Sequence, residues 1–256
     1  ILIHLLPSFF KFDHDDSELF IDKISTSSAH LLVIKFMSRL ISRSSTISAP
    51  QHYIEILYDK FQHLTDGVDN LAIDEDVFIY IFQCFTNISN RDITNNAYIL
   101  DKTKNYNIPI FENVMRFFDA DTYMDSQKVM DSLFGYIISV FGHRSVEKHK
   151  YEKILFSITK DFEFYIYIIQ NSQNASIRKN ALKCMYTVVN LESLKDEQEI
   201  IDFLNDMSLF EFLVDIFKNG STSERDMAFN IIMKKIGHIK PSQENIEFIY
   251  DLDFLD

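Results

Sequence analysis

Asn174-Ala-Ser-Ile-Arg-Lys-Asn-Ala-Leu-Lys-Cys-Met-Tyr-Thr-Val-Val-Asn190 has a counterpart 47 residues further on, Ser221-Thr-Ser-Glu-Arg-Asp-Met-Ala-Phe-Asn-Ile-Ile-Met-Lys-Lys-Ile-Gly237. Both open with short polar residues suited to a helix N-terminus, reach an Arg, and continue with apolar side chains at helical spacing. Ala181 overlays Ala228, Met185 overlays Ile232, and Val189 overlays Ile236. A stretch that returns with its apolar positions in register predicts a helix burying the same stripe each time.

Working outward, the template also fits Leu133 to Gly142, Ile81 to Asn90 and Val33 to Ser42. The anchors Val33, Ile81, Leu133, Ala181 and Ala228 are then spaced by 48, 52, 48 and 47 residues. A period in this range, filled by helical patterns, is the signature of an α-solenoid, in which each unit packs mainly on its neighbours. Before each template helix from the second onward runs another amphipathic helix: Gln51–Gln62, Pro109–Asp119, Phe162–Asn171 and Ser208–Lys218. The expected fold is all-α, a right-handed superhelix of about five repeats. It forms a single domain over residues 1–256, read as part of a longer chain because Ile1 to Phe10 looks like the cut end of a helix.

Composition agrees. Five Gly and four Pro in 256 residues are too few for the turns of a sandwich, barrel or dinucleotide-binding fold. With 46% hydrophobic residues and a mean hydropathy of −0.07, the chain can bury a continuous core. Elsewhere, Ser44 to Pro50 is a turn-rich break, Glu18 to Ser25 a short helix and Ser242 to Leu255 a terminal one. Asn90 to Asn107, with five asparagines, is the longest polar stretch and reads as a mobile loop or insertion.

Helix, short polar loop, then a helix that starts on small residues: in Ser208-Leu-Phe-Glu-Phe-Leu-Val-Asp-Ile-Phe-Lys-Asn-Gly-Ser-Thr-Ser-Glu-Arg-Asp-Met-Ala228 the chain resembles armadillo/HEAT-like repeats. The likeness is clearest over roughly 85 residues from Phe162 onward and reaches the rest by extension. The period is longer than usual for armadillo repeats, and the glycine often found between that family's first two short helices is missing. With no Trp, the Trp/Asn array by which nuclear-import adaptors hold basic signals is absent.

The resemblance implies a partner-binding groove, lined in this reading by the preceding helices. Aligning those helices on Ile54, Phe111, Phe162 and Phe210 places Glu55, Glu112, Glu163 and Glu211 at one shared position. One turn on come Asp59, Arg116, Tyr167 and Asp215. Two readings stand side by side. These Glu lie in or near a first helical turn, where the helix dipole favours a carboxylate and where Ser208 with Glu211 forms a capping-box pair. Alternatively they form a ladder along an acidic groove that takes a protein segment bearing Lys or Arg.

A net charge of −13 argues against a general grip on nucleic acid or on an anionic membrane surface. No apolar run approaches the roughly 18 residues needed to cross a bilayer. Cys84 and Cys184 each fall three residues after an anchor. Phe36, Tyr136 and Ile231 hold the same slot elsewhere, so it reads as a core position. Two repeats apart means on the order of 20 Å, too far for a disulfide, so both thiols are expected to be free in a reducing compartment, the cytoplasm or nucleus.

Catalytic signals are missing. His143, Glu147 and His149 lack the i, i+4 pairing of a metal-binding helix. There is no glycine-rich phosphate loop, nucleophile elbow or Cys-x-x-Cys, so no catalytic residue, cofactor or metal site is assigned. Asn87-Ile-Ser, Asn174-Ala-Ser and Asn219-Gly-Ser match the glycosylation sequon only as coincidences of an Asn- and Ser-rich chain. The expected function is non-enzymatic, a protein-binding scaffold or adaptor. The alternatives are an assembly chaperone or exchange factor gripping a folded client, and, further off, a helical-repeat nucleic-acid enzyme.

Overall fold

The computed structural model describes residues 29–43, 50–66, 73–101, 108–143, 148–159, 161–206 and 208–238. The expected elements at Glu18 to Ser25 and Ser242 to Leu255 lie outside these residues. Among the described residues every regular element is helical. In chain order these are α1 (His30–Arg43), α2 (Pro50–Thr65), α3 (Glu75–Arg91), a 3₁₀ turn (Ile93–Asn96), α4 (Ala97–Leu100), α5 (Ile110–Arg116) and α6 (Ala120–Tyr123). There follow α7 (Gln127–Phe141), α8 (Lys148–Thr159), α9 (Asp161–Asn171), α10 (Ala175–Val189), a 3₁₀ turn (Glu192–Leu194), α11 (Gln198–Asn205), α12 (Ser208–Asn219) and α13 (Thr222–His238).

The helices begin where short polar side chains can serve their first turn. Asp74 Oδ1 accepts from the Asp76 amide at 2.9 Å to open α3, and Asn174 Oδ1 accepts from the Ser176 amide at 2.9 Å to open α10. At α13, Glu224 reaches back to the Ser221 amide (2.8 Å) and hydroxyl (2.6 Å), the reciprocal half of a capping box. Between α12 and α13 the chain turns at Gly220. A Cβ there would sit 2.5 Å from the Ile216 carbonyl oxygen, so only glycine closes this corner.

The five template helices α1, α3, α7, α10 and α13 pack each on the next in chain order, with α2 against α1, α9 against α10 and α12 against α13. The five anchors are at most 1% exposed, and the slot of Phe36, Cys84, Tyr136, Cys184 and Ile231 is buried throughout. The core is aromatic around α2, α3, α5 and α7. Phe82 and Phe85 meet Phe111 edge to face, and Tyr136 lies 5.4 Å from Phe85 and 5.1 Å from Phe111 between ring centres. On the preceding helices the aligned residues Ile54, Phe111, Phe162 and Phe210 are buried, and the stripe continues three residues further on. Leu57, Val114, Tyr165 and Leu213 are buried, whereas Met115 and Ile166 are only half-buried.

Two expectations are corrected and one helix is new. The polar stretch after Asn90 is not loop throughout: Ile93, Asn96, Ile99 and Leu100 are buried in a 3₁₀ turn followed by α4. Asn96 belongs inside because it is hydrogen-bonded, its Nδ2 donating to Ser89 Oγ and to the Ile93 carbonyl, both at 3.0 Å. The helix expected over Pro109–Asp119 stops at Arg116. Phe117 and Phe118 turn into the core against Phe61 (5.6 Å) and Phe78 (5.5 Å), and Asp119 caps a new helix through the Asp121 amide. Finally, α11 went unanticipated, although Ile200, Phe203 and Leu204 have the spacing of its buried face.

Candidate functional site

The eight predicted partner-binding residues fall on four helices, and several find partners close by. Glu55 accepts from Gln51 Nε2 at 2.9 Å, Glu112 pairs with Arg116 at 2.9 Å, and Asp215 accepts from Asn219 Nδ2 at 2.7 Å, all one helical turn apart. Asp59 lies 3.2 Å from Lys60 Nζ and 3.7 Å from His63 Nε2. Tyr167 reaches outside its helix, its hydroxyl donating to Asp121 of α6. Glu163, Glu211 and Asp215 face solvent. Asp215 also borders a cavity of about 460 Å³ between α9, α10, α12 and α13, shared with Arg178 and Glu224. The side chain of Ser208 lies outside the described residues, which leaves its capping-box pairing with Glu211 undescribed.

A larger concavity lies elsewhere. About 630 Å³ opens on the side of α1, α3 and α7 that faces away from the core. Its walls include Arg39, Tyr80, Gln83, Asn87, Lys128 and Asp131, with Gly135 on its floor. The Lys35 ammonium stands 5.1 Å from the centre of the Tyr80 ring. Asp131 is held by Asn180 of α10, whose Nδ2 donates at 2.8 Å. A Cβ on Gly135 would meet only Thr86 Oγ1, at 3.9 Å, so the glycine leaves open space that packing does not require.

Charge is divided along the same line. The five template helices carry eleven Lys and Arg against five Asp and Glu, a net of +6 in a chain of −13, so the remainder carries −19. Some of these cations are spent on structure. Arg91 donates to the Ile41 carbonyl at the end of α1, and Lys234 to the Val189 carbonyl at the end of α10. Lys235 is buried, donates to the Phe203 carbonyl, and has its ammonium 4.6 Å from the Phe203 ring centre and 5.7 Å from that of Phe210. Burial brings its pKa down to about 8. Arg39, Lys128, Lys179 and Lys183 stay exposed on the layer. The repeat pattern does not reveal the groove, whereas the charge segregation is present in the sequence as the Lys and Arg content of the template helices.

A buried polar cluster around Glu152 is structural in form. Glu152 on α8 is fully buried; its Oε2 accepts from Ser193 Oγ at 2.5 Å and meets His149 Nδ1 at 3.0 Å, while its Oε1 forms an ion pair with Lys148 Nζ at 3.1 Å. A nucleophilic serine would donate to an imidazole. Here the hydroxyl donates to the carboxylate, which instead fastens α8 to the Glu192–Leu194 turn. Glu147 lies outside the described residues, and among those described no three His, Cys, Asp or Glu side chains converge as metal ligands. Cys84 and Cys184 are buried and unpaired; burial raises the first thiol to about 12 and the second further still. No helix among the described residues is long and apolar enough to cross a membrane. No family model, curated protein or solved structure matches the chain.

Proposed function

We propose that the chain is a non-enzymatic protein-binding scaffold, a right-handed armadillo/HEAT-like superhelix of about five repeats, working in the cytoplasm or nucleus. The observation that supports it best is the succession of five helices at equivalent repeat positions, each packed on the next. That arrangement turns a linear repeat into a long surface, which suits recognition of an extended segment. Two buried free thiols fit a reducing compartment. The partner of the acidic helices is a protein segment with Lys or Arg, attracted to Glu55, Asp59, Glu163, Glu211 and Asp215, with Arg116 and Tyr167 between them. Such attraction speeds encounter and fades with salt.

The test pairs binding with stability in one variant, Glu55→Lys with Glu211→Lys, using a panel of Lys- and Arg-bearing peptides. Binding should fall on the order of tenfold or more while the melting temperature moves by a few degrees at most. Stability lost with binding kept would reduce these glutamates to helix capping.

A further inference from the structure

The groove across α1, α3 and α7 calls for a ligand of the opposite sign from the one the acidic helices would take. We propose that it binds an extended acidic segment of a protein partner, with two carboxylates about six residues apart, one on Arg39 and the other on Lys128. The proposal rests on different residues from those of the acidic helices and stands or falls separately from that reading.

Four observations carry it. Arg39 and Lys128 lie at opposite walls of one cavity and are both exposed, and among the described residues neither is paired with a carboxylate. They belong to parallel helices two places apart in the layer, Arg39 near the end of α1 and Lys128 near the start of α7, so two helix spacings and about eleven residues of helical rise set their backbones on the order of 25 Å apart. Both side chains line the one cavity, which shortens the span to roughly 20 Å, the reach of about six residues of extended chain. Between them α3 presents Gln83 and Asn87, one turn apart, whose amides both donate and accept. Such amides suit the alternating N–H and C=O groups of an extended backbone. Tyr80, braced by Lys35 at 5.1 Å, supplies an apolar surface for a side chain between the two carboxylates.

Asp131 decides against nucleic acid. It projects into the same groove, held at 2.8 Å by Asn180. A phosphodiester strand carries a charge on every unit and would meet it, whereas a peptide with spaced carboxylates passes it with a neutral residue. The template helices carry a net of +6 within a chain of −13, so an acidic segment is favoured on this layer over the rest of the described helices.

The experiment pans a displayed library of random 14-residue peptides on the wild-type protein, then measures enriched peptides by fluorescence anisotropy. Enrichment of Asp or Glu pairs five to seven residues apart is expected, with affinity falling as salt rises. Arg39→Glu with Lys128→Glu should weaken those peptides on the order of tenfold or more at unchanged melting temperature. Gly135→Trp should fill the groove and abolish binding, and Gly135→Ala should retain it. Glu55→Lys with Glu211→Lys should leave these peptides untouched, which separates failure here from failure of the acidic surface. Enriched peptides without the paired acids, indifference to the Arg39 and Lys128 reversal, or equal competition by a 14-nucleotide single strand would each overturn the proposal.

Discussion

Tyr136 and Asn96 are joined at the centre of the structure, the phenol on α7 donating to Asn96 Oδ1 at 2.9 Å with both residues fully buried. Asn96 Nδ2 continues the chain to Ser89 Oγ at 3.0 Å. A buried network of this kind contributes little while complete and costs much when broken, because the orphaned group has no water to turn to. Asn96→Ala should therefore destabilise by about 2–4 kcal/mol and Tyr136→Phe by about 1–2 kcal/mol. In urea denaturation the double variant should cost clearly less than the sum of the two. Strict additivity would mean the pair is not coupled.

Ala181 sits where α10 meets its layer neighbours and is fully buried. Ala181→Asp places a carboxylate there without a counter-ion and should cost several kcal/mol, enough to leave little folded protein at 37 °C. Lys179→Asp, two residues away on the exposed side, is the control and should change stability by about 0.5 kcal/mol or less. Circular dichroism melts of both variants check the contrast.

The thiols should be silent. Both cysteines are completely buried, and burial holds each thiol in its protonated form, Cys84 up to about 12. A thiol reagent at pH 8 should label neither within minutes on the native protein and both at once in denaturant. Rapid native labelling at either site would contradict the shared core slot.

Lys235 makes stability depend on pH in a definite direction. Its folded pKa of about 8 lies below the ordinary 10.5, so the folded state holds the ammonium less well than the unfolded chain does. The cost is fully present below pH 8 and is relieved as pH rises from about 8 to 10.5, the window where the unfolded chain binds the extra proton. Between pH 8 and pH 10 the wild type should gain roughly 2 kcal/mol relative to Lys235→Met. Parallel stability profiles for the two proteins would refute this.

The layer was legible because it is written in side-chain type. Val33, Ile81, Leu133, Ala181 and Ala228 recur at a nearly constant spacing, and all are buried. Asn96 was not legible, since polarity reads as exposure until a partner is known, and Ser89 and Tyr136 lie 7 and 40 residues away. Asp119 was a missed signal, an N-cap residue in mid-pattern where the chain starts α6. The groove was hidden for a different reason. Arg39, Gln83 and Lys128 look like ordinary solvated positions on three separate helices, and only the packing of α1, α3 and α7 brings them to one cavity.

The end of α1 is completed by Arg91 and the end of α10 by Lys234, side chains 50 and 45 residues further along the chain. During synthesis, each of these helix termini leaves the ribosome with its last carbonyls unserved. It waits for the next unit to be translated, several seconds at ordinary elongation rates of about 5–20 residues per second. At these two junctions the later unit thus finishes the earlier helix, and a nascent chain arrested before Arg91 or Lys234 leaves that helix end without its side-chain donor.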